Sequence, residues 1–179
     1  IKSVIKGLQP GVILCGAPGV GKTYRVKQYL KAYGYNEGHN LYTIKGTQSP
    51  RQLYIDMYNY KERGNIIVVD DADALVGPKA PEVAINLLKA ALDSTSDDEG
   101  RLVAYKVTGN LVDEEGIPIP KRHYYNGQMI IITNYSVGQL NSALKGRVFT
   151  QTLDFTSEQI LEIIRDLMPN LDPHKLTME

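Results

Sequence analysis

The amino-acid sequence predicts a three-layer α/β/α sandwich built on a five-strand parallel sheet. Five short apolar runs, at 12–15, 41–44, 66–70, 129–133 and 148–153, are separated by helix-like segments, the alternation that makes an α/β fold. The runs are mostly continuous rather than alternating, as strands are when helices cover both faces of a parallel sheet. The 179 residues, 42% apolar and 22% charged, match one ordinary domain and leave no room for a second large one.

The helices carry their own start and stop signals. After the first run, 23–33 places Val26, Tyr29, Leu30 and Tyr33 on one face, and Gly34 follows where a left-handed residue ends a helix. Ser49, Pro50 and Gln52 read as an N-cap, a first-turn proline and the glutamine of a capping box, leading into Leu53 and Met57. Pro81 opens a third helix that runs to about Leu92. The same capping logic recurs at Ser136–Gln139 and at Thr156–Gln159 for a fourth and a fifth helix. The fifth stops at Pro169, and its stripe of Ile160, Ile163, Ile164 and Leu167 has few residues left in the chain to cover it. Between the third helix and the fourth strand, 101–107 and 117–125 are expected to pair as a hairpin with its tip at 108–116.

Twenty Lys plus Arg balance twenty Asp plus Glu, so no global positive field draws the protein to nucleic acid, and any such contact must be local. Wholly apolar runs of four residues fall far short of the roughly 20 needed to span a bilayer. No membrane association or secretion signal is expected, and the location is expected to be cytoplasmic. The single cysteine, Cys15, sits in an apolar run and reads as a buried small hydrophobe in a reducing compartment. His39, His123 and His174 have no spacing that makes a zinc site. Twelve tyrosines against two phenylalanines cluster on the helices, where helical spacing favours partial burial with a wet hydroxyl.

The strongest motif is Gly16-Ala17-Pro18-Gly19-Val20-Gly21-Lys22-Thr23, followed by Tyr24, directly after an apolar strand and directly before an amphipathic helix. Glycines let successive backbone N–H groups turn inward around phosphate oxygens, and the helix N-terminus adds partial positive charge. Lys22 supplies a point charge for the β- and γ-phosphates, and the Thr23 hydroxyl is a Mg²⁺ ligand. At the end of the third run, Asp70 stands where open α/β sheets bind ligands and is the second candidate for the Mg²⁺ shell. Asp71 is the candidate for activating a water, on a shorter arm than glutamate would have. Asp73 reads as a cap or solvated residue of the following turn, with the base role as its alternative.

These residues resemble the AAA+ ATPase family, in the additional-strand branch of P-loop proteins. The resemblance covers about 11–153 and rests on the phosphate loop, the acidic strand end, Ile130-Ile131-Ile132-Thr133-Asn134 and Gly146-Arg147-Val148, in the family's order. It implies strand order 5-1-4-3-2, ATP and Mg²⁺ as ligands, and a homo-oligomeric ring, plausibly a hexamer. It makes Asn134 the sensor that positions the lytic water and Arg147 the finger reaching a neighbouring subunit's site; a strand-end turn and a surface arginine are the competing accounts. No guanine-reading Asn-Lys-x-Asp element is present. The chain departs from the family in its Asp70-Asp71 pair, where Asp-Glu is usual, and in ending within about one helix of the lid. It therefore divides into a nucleotide-binding core, 1–154, with a hairpin insertion at 94–128, and the start of a truncated helical lid, 155–179. The stretch before the sensor strand also looks like that of bacteriophage-encoded AAA+ proteins, for which the location becomes the host cytoplasm.

The expected activity is Mg²⁺-dependent ATP hydrolysis coupled to remodelling or translocation of a nucleic acid or a protein. The 101–125 hairpin could touch that substrate: Asp113, Glu114 and Glu115 at its tip would repel phosphate, whereas Lys121, Arg122 and His123 beside Tyr124 and Tyr125 could grip it. A solvated ribbon with its tyrosines packed on the domain is the alternative for this segment. A slowly hydrolysing nucleotide switch, and less favourably a small P-loop kinase, are the alternatives for the whole.

Overall fold

Period-two alternation along each continuous strand sends successive apolar side chains to opposite faces of the sheet, so both faces must be covered. The computed structural model describes residues 1–94, 99–113, 115–146, 148–153, 156, 158, 159, 161 and 165. In it a short helix α1 (Lys2–Ile5) precedes β1 (Gly11–Cys15), α2 (Lys22–Ala32), β2 (Leu41–Lys45), α3 (Pro50–Asn59) and β3 (Ile66–Asp70). Then come α4 (Asp73–Val76), α5 (Glu82–Ala91), four short strands β4 (Arg101–Ala104), β5 (Leu111–Val112), β6 (Pro118–Ile119) and β7 (Arg122–Tyr125), and β8 (Gln128–Thr133). A 3₁₀ turn (Val137–Gln139), α6 (Ser142–Lys145) and β9 (Phe149–Thr152) follow.

The five-strand sheet runs β2-β3-β8-β1-β9 with every pairing parallel. Counted over these five strands alone and from the β9 edge, that is 5-1-4-3-2. Ile13, Cys15, Ile67, Val69, Met129 and Ile131 point to one layer, where Leu53, Tyr54 and Met57 of α3 and Ala84, Leu87 and Leu88 of α5 cover them. Val12, Leu14, Ile66, Val68, Ile130 and Ile132 point to the other, against Val26 and Leu30 of α2. The Cys15 thiol is buried, and desolvation pushes its pKa up, with Lys22 pulling the other way. Among the described residues no helix is long and apolar enough to cross a membrane.

Helix ends follow local chemistry. Gly34 takes φ +83, and the N–H groups of Gly34 and Tyr35 donate to the carbonyls of Lys31 and Leu30, a Schellman motif closing α2. Ser49 accepts from the Gln52 amide N–H at 3.2 Å as expected, but the Gln52 side chain reaches forward to Asp56 (3.0 Å) instead of back to the cap. The buried Asp56 carboxylate outcompetes a cap N–H already next to water. At 136–139 the reciprocal box forms, yet it closes only the 3₁₀ turn; Leu140 is extended at ψ 154, and Asn141 then caps α6 afresh through the Ala143 N–H (3.0 Å). Thr156 and Gln159 make both bonds of their box. The apolar stripe at Ile160, Ile163, Ile164 and Leu167, and Pro169, lie outside the described residues.

The insertion is a ribbon in two parts. Antiparallel β4 and β7 pair Arg101 with Tyr125 through Ala104 with Arg122, and β5 pairs with β6. The tip is shorter than the 108–116 expected, because Leu111 and Ile119 are buried and draw their segments into the fold. The turn is confined to 113–117, where the Asp113 carboxylate accepts the Glu115 and Ile117 N–H groups. Glu114 lies outside the described residues. His123 and Tyr125 face inward: His123 lies against the Tyr54 and Tyr58 rings, and the Tyr125 hydroxyl donates to the Gln128 carbonyl (3.0 Å). These two therefore cannot grip a backbone, and the expected five-residue grip reduces to Lys121, Arg122 and Tyr124.

Candidate functional site

The candidate nucleotide-site side chains that the structure describes gather at the C-terminal ends of β1, β3 and β8, the side on which open parallel sheets bind ligands. The loop from Gly16 to Gly21 leaves β1 and feeds α2. Gly19 and Gly21 adopt φ +78 and +81, and a Cβ at Gly16 would sit 2.6 Å from the Leu153 carbonyl oxygen, so backbone conformation favours glycine at the first two and close packing favours it at the third. Ala17, Pro18 and Gly19 are exposed, and Val20 is half-buried. Tyr24 lies half-buried in the first turn of α2, beside Thr23.

Lys22 is buried, and its ammonium donates to the Gly16 carbonyl (2.8 Å), the Ala17 carbonyl (2.7 Å) and the Asn134 side-chain oxygen (3.0 Å). Desolvation lowers its pKa, while Asp71, Asp73 and Asp70 act against that shift. The hydrogen-bond acceptors of Lys22 among the described residues are all neutral oxygens, so no carboxylate is paired directly with the ammonium and it can turn to an anion. The Thr23 hydroxyl donates to Asp70 Oδ1 at 2.6 Å, so the two oxygens expected to hold a metal already touch. A hard oxygen pair at a phosphate loop suits Mg²⁺, which keeps most of its water and takes few protein ligands. Among the described residues no three His, Cys, Asp or Glu side chains come together as a protein-only metal cage.

Asp71 has φ +53, the one non-glycine residue with positive φ among those described. That conformation costs on the order of 1 kcal/mol and turns the carboxylate back over the site, where the Asn134 side-chain amide donates to it at 3.3 Å. Asn134 thus bridges Lys22 and Asp71 from the end of β8. Asp73 is the first residue of α4 rather than its cap, and it is half-buried. Its Oδ1 accepts from the Thr133 hydroxyl (2.6 Å) and the Asn134 backbone N–H (2.9 Å), locking the turn after β3 to the end of β8. The Ala72 N–H to Ile132 carbonyl bond (2.9 Å) makes the same connection through the backbone. Sequence reasoning missed this Asp73–Thr133 pair; the signal was a polar residue ending an apolar strand that neighbours the acidic one. Arg147 lies outside the described residues.

A glycine loop with its buried lysine, a touching hydroxyl–carboxylate pair and a side-chain amide at the end of the adjacent strand, on a five-strand parallel sheet, have the architecture of a P-loop nucleotide-binding protein. Residues 12–155 match the model of the ATPase family associated with various cellular activities (AAA), and the chain belongs to that family. It is 27% identical to an uncharacterized 36.7 kDa protein of Enterobacteria phage T4, over 94% of this chain and 53% of the phage protein. Among solved structures it resembles the RuvB Holliday junction branch migration motor of Thermotoga maritima (TM-score 0.57, 17% identity, 94% of this chain and 47% of that one). It also resembles a DNA polymerase III γ-subunit-related protein of the same organism (TM-score 0.51, 16% identity, 94% and 48%). The chain spans about half the length of these relatives.

Proposed function

We propose that the chain is the nucleotide-binding core of a Mg²⁺-dependent ATPase subunit that works in a homo-oligomeric ring and couples ATP hydrolysis to remodelling or translocation of a nucleic acid or a protein. The observation that carries this reading is the convergence of Lys22, Asp71 and Asn134 beside the Thr23–Asp70 pair. In this scheme Lys22 and the loop from Gly16 to Thr23 hold the phosphates, and Thr23 and Asp70 hold Mg²⁺, which when bound neutralises phosphate charge. Asn134 orients the attacking water and Asp71 accepts its proton as the bond to the leaving ADP oxygen breaks. Arg147 enters from the neighbouring subunit to balance charge on the transferring phosphoryl group, an effect worth roughly 10³–10⁵ in rate where such arginines have been measured. The likeness to a phage protein agrees with a phage-encoded origin and a site of action in the host cytoplasm.

A second reading, a nucleotide-dependent switch with slow turnover, is favoured by one feature. Asp71 has a short arm in a strained conformation, already engaged by Asn134. The test is the ATP hydrolysis rate per subunit as a function of protein concentration, with sedimentation on the same samples. A rate that rises with assembly supports the ring ATPase; ATP binding without turnover at any concentration selects the switch. Lys22→Ala should abolish ATP binding, and unchanged affinity in that variant would remove both readings.

A further inference from the structure

The ribbon made by β4 and β7 carries apolar side chains on both faces. Val103, His123 and Tyr125 point inward, while Leu102, Ala104, Arg122 and Tyr124 point outward, with Leu102 opposite Tyr124 and Ala104 opposite Arg122. A ribbon packed on one side ordinarily turns polar residues to water. Here Leu102 is 48% exposed and Tyr124 36% exposed. The outward surface runs into a groove of about 990 Å³, floored by Leu102, Ala104 and Pro120 and rimmed by Lys106, Lys121 and Arg122. Among the described residues no carboxylate lines this groove; Asp113 and Glu115 sit in the turn at the tip, where the Asp113 carboxylate is held by backbone N–H groups. In a chain of zero net charge, three cations around an apolar floor are a local concentration of one sign.

The inner face fixes this surface in place. The Tyr54 hydroxyl donates to the Pro120 carbonyl (2.7 Å), the Tyr105 ring stacks on Tyr54 with centroids 5.4 Å apart, and the Arg101 guanidinium lies over the Tyr125 ring. A groove mounted on such anchors is already formed before a partner arrives, which lowers the ordering cost of docking.

We propose that this groove docks an acidic amphipathic segment of a partner protein, its apolar side chains on the floor and its carboxylates against the Lys106–Lys121–Arg122 rim. A single nucleic-acid strand is the poorer fit. Its phosphates would use the rim alone, and its bases need open aromatic faces, whereas Tyr105, the one aromatic ring lining the groove among the described residues, is stacked on Tyr54, and Tyr124 lies outside that lining. The docking uses no residue of the phosphate loop or the acidic strand end, so it does not rest on the ATPase reading.

The experiment measures fluorescence anisotropy with the whole chain and no nucleotide. Its probes are a helical peptide of about 15 residues with leucines on one face and glutamates on the other, the same peptide with lysines for glutamates, and an oligothymidylate of about 30 nucleotides. The glutamate peptide should bind and the lysine peptide should not. Leu102→Asp and Lys121→Glu should each weaken binding by about tenfold or more, the scale of losing a central interface contact. Both positions are exposed, and the thermal midpoint of each variant checks that the fold survives. Absence of glutamate-peptide binding, or binding indifferent to both substitutions, overturns the proposal. Oligothymidylate binding that displaces the peptide and is lost in Lys121→Glu but kept in Leu102→Asp also overturns it and makes the groove a nucleic-acid site.

Discussion

Asp73 decides whether Asn134 can bridge Lys22 and Asp71, because its Oδ1 fixes both the Thr133 hydroxyl and the Asn134 N–H. Removing a charged acceptor from two donors costs more than weakening it, since the donors are then left unpaired beside the site. Asp73→Ala is therefore expected to lower kcat of ATP hydrolysis by one to two orders of magnitude, roughly the loss of a 1.5–3 kcal/mol charged hydrogen bond, with little change in KM. Asp73→Asn keeps an oxygen facing the same donors and should recover most of the rate. A larger rise in KM than fall in kcat would mean that Asp73 serves nucleotide binding instead. At this scale the positions of Lys22 and Thr23 were legible in the sequence because a fixed motif reports them, and that of Asp70 because it ends an apolar run. Asp73 was not, because its role depends on which strand becomes the neighbour of β3, and that is set by the sheet.

Elements show the same division between local and nonlocal causes. The strands and the Schellman end of α2 were readable because apolar runs and a glycine after a periodic segment act within one turn or one strand. The forward reach of Gln52 and the shortened hairpin tip were not, since both follow from burial of Asp56, Leu111 and Ile119 by distant segments. Another unreadable device guards the sheet edge: the Glu37 carboxylate accepts the Thr43 N–H (2.6 Å) and hydroxyl (2.7 Å), occupying a donor of the edge strand β2. The ribbon root has its own pH signature. Burial, reinforced by Lys61, lowers the His123 pKa from 6.5 to about 4, and neither ring nitrogen has a hydrogen-bond partner among the described residues. Between these two values the unfolded chain binds the proton and the folded one does not, so stability falls as pH drops through this window. The thermal midpoint should decline from pH 6.5 toward pH 5, and His123→Phe, which keeps an aromatic ring among Tyr54 and Tyr58, should flatten that decline relative to wild type. An identical slope in the variant would place the titrating group elsewhere.

The whole molecule supplies, on the proposed scheme, only part of a working site: Asp71 and Asn134 lie on the subunit that holds nucleotide, and Arg147 acts on the next one. Complementation tests this division more sharply than loss of activity, because a damaged fold and a missing finger both give an inactive protein. Asp71→Ala and Arg147→Ala should each be inactive alone while still binding ATP. In a mixed ring, an Arg147→Ala subunit keeps its own Asp71 and can receive Arg147 from an Asp71→Ala neighbour, so that interface is complete. With equal amounts and random order, about a quarter of the interfaces have an intact pair, and activity should return to about that fraction of wild type at concentrations that favour assembly. Dilution should abolish the recovered activity together with the assembled species. A mixture that stays inactive although both variants bind ATP and co-assemble would place Arg147 outside the neighbour's site, and full activity in Arg147→Ala alone would show that the subunit completes its site without a neighbour.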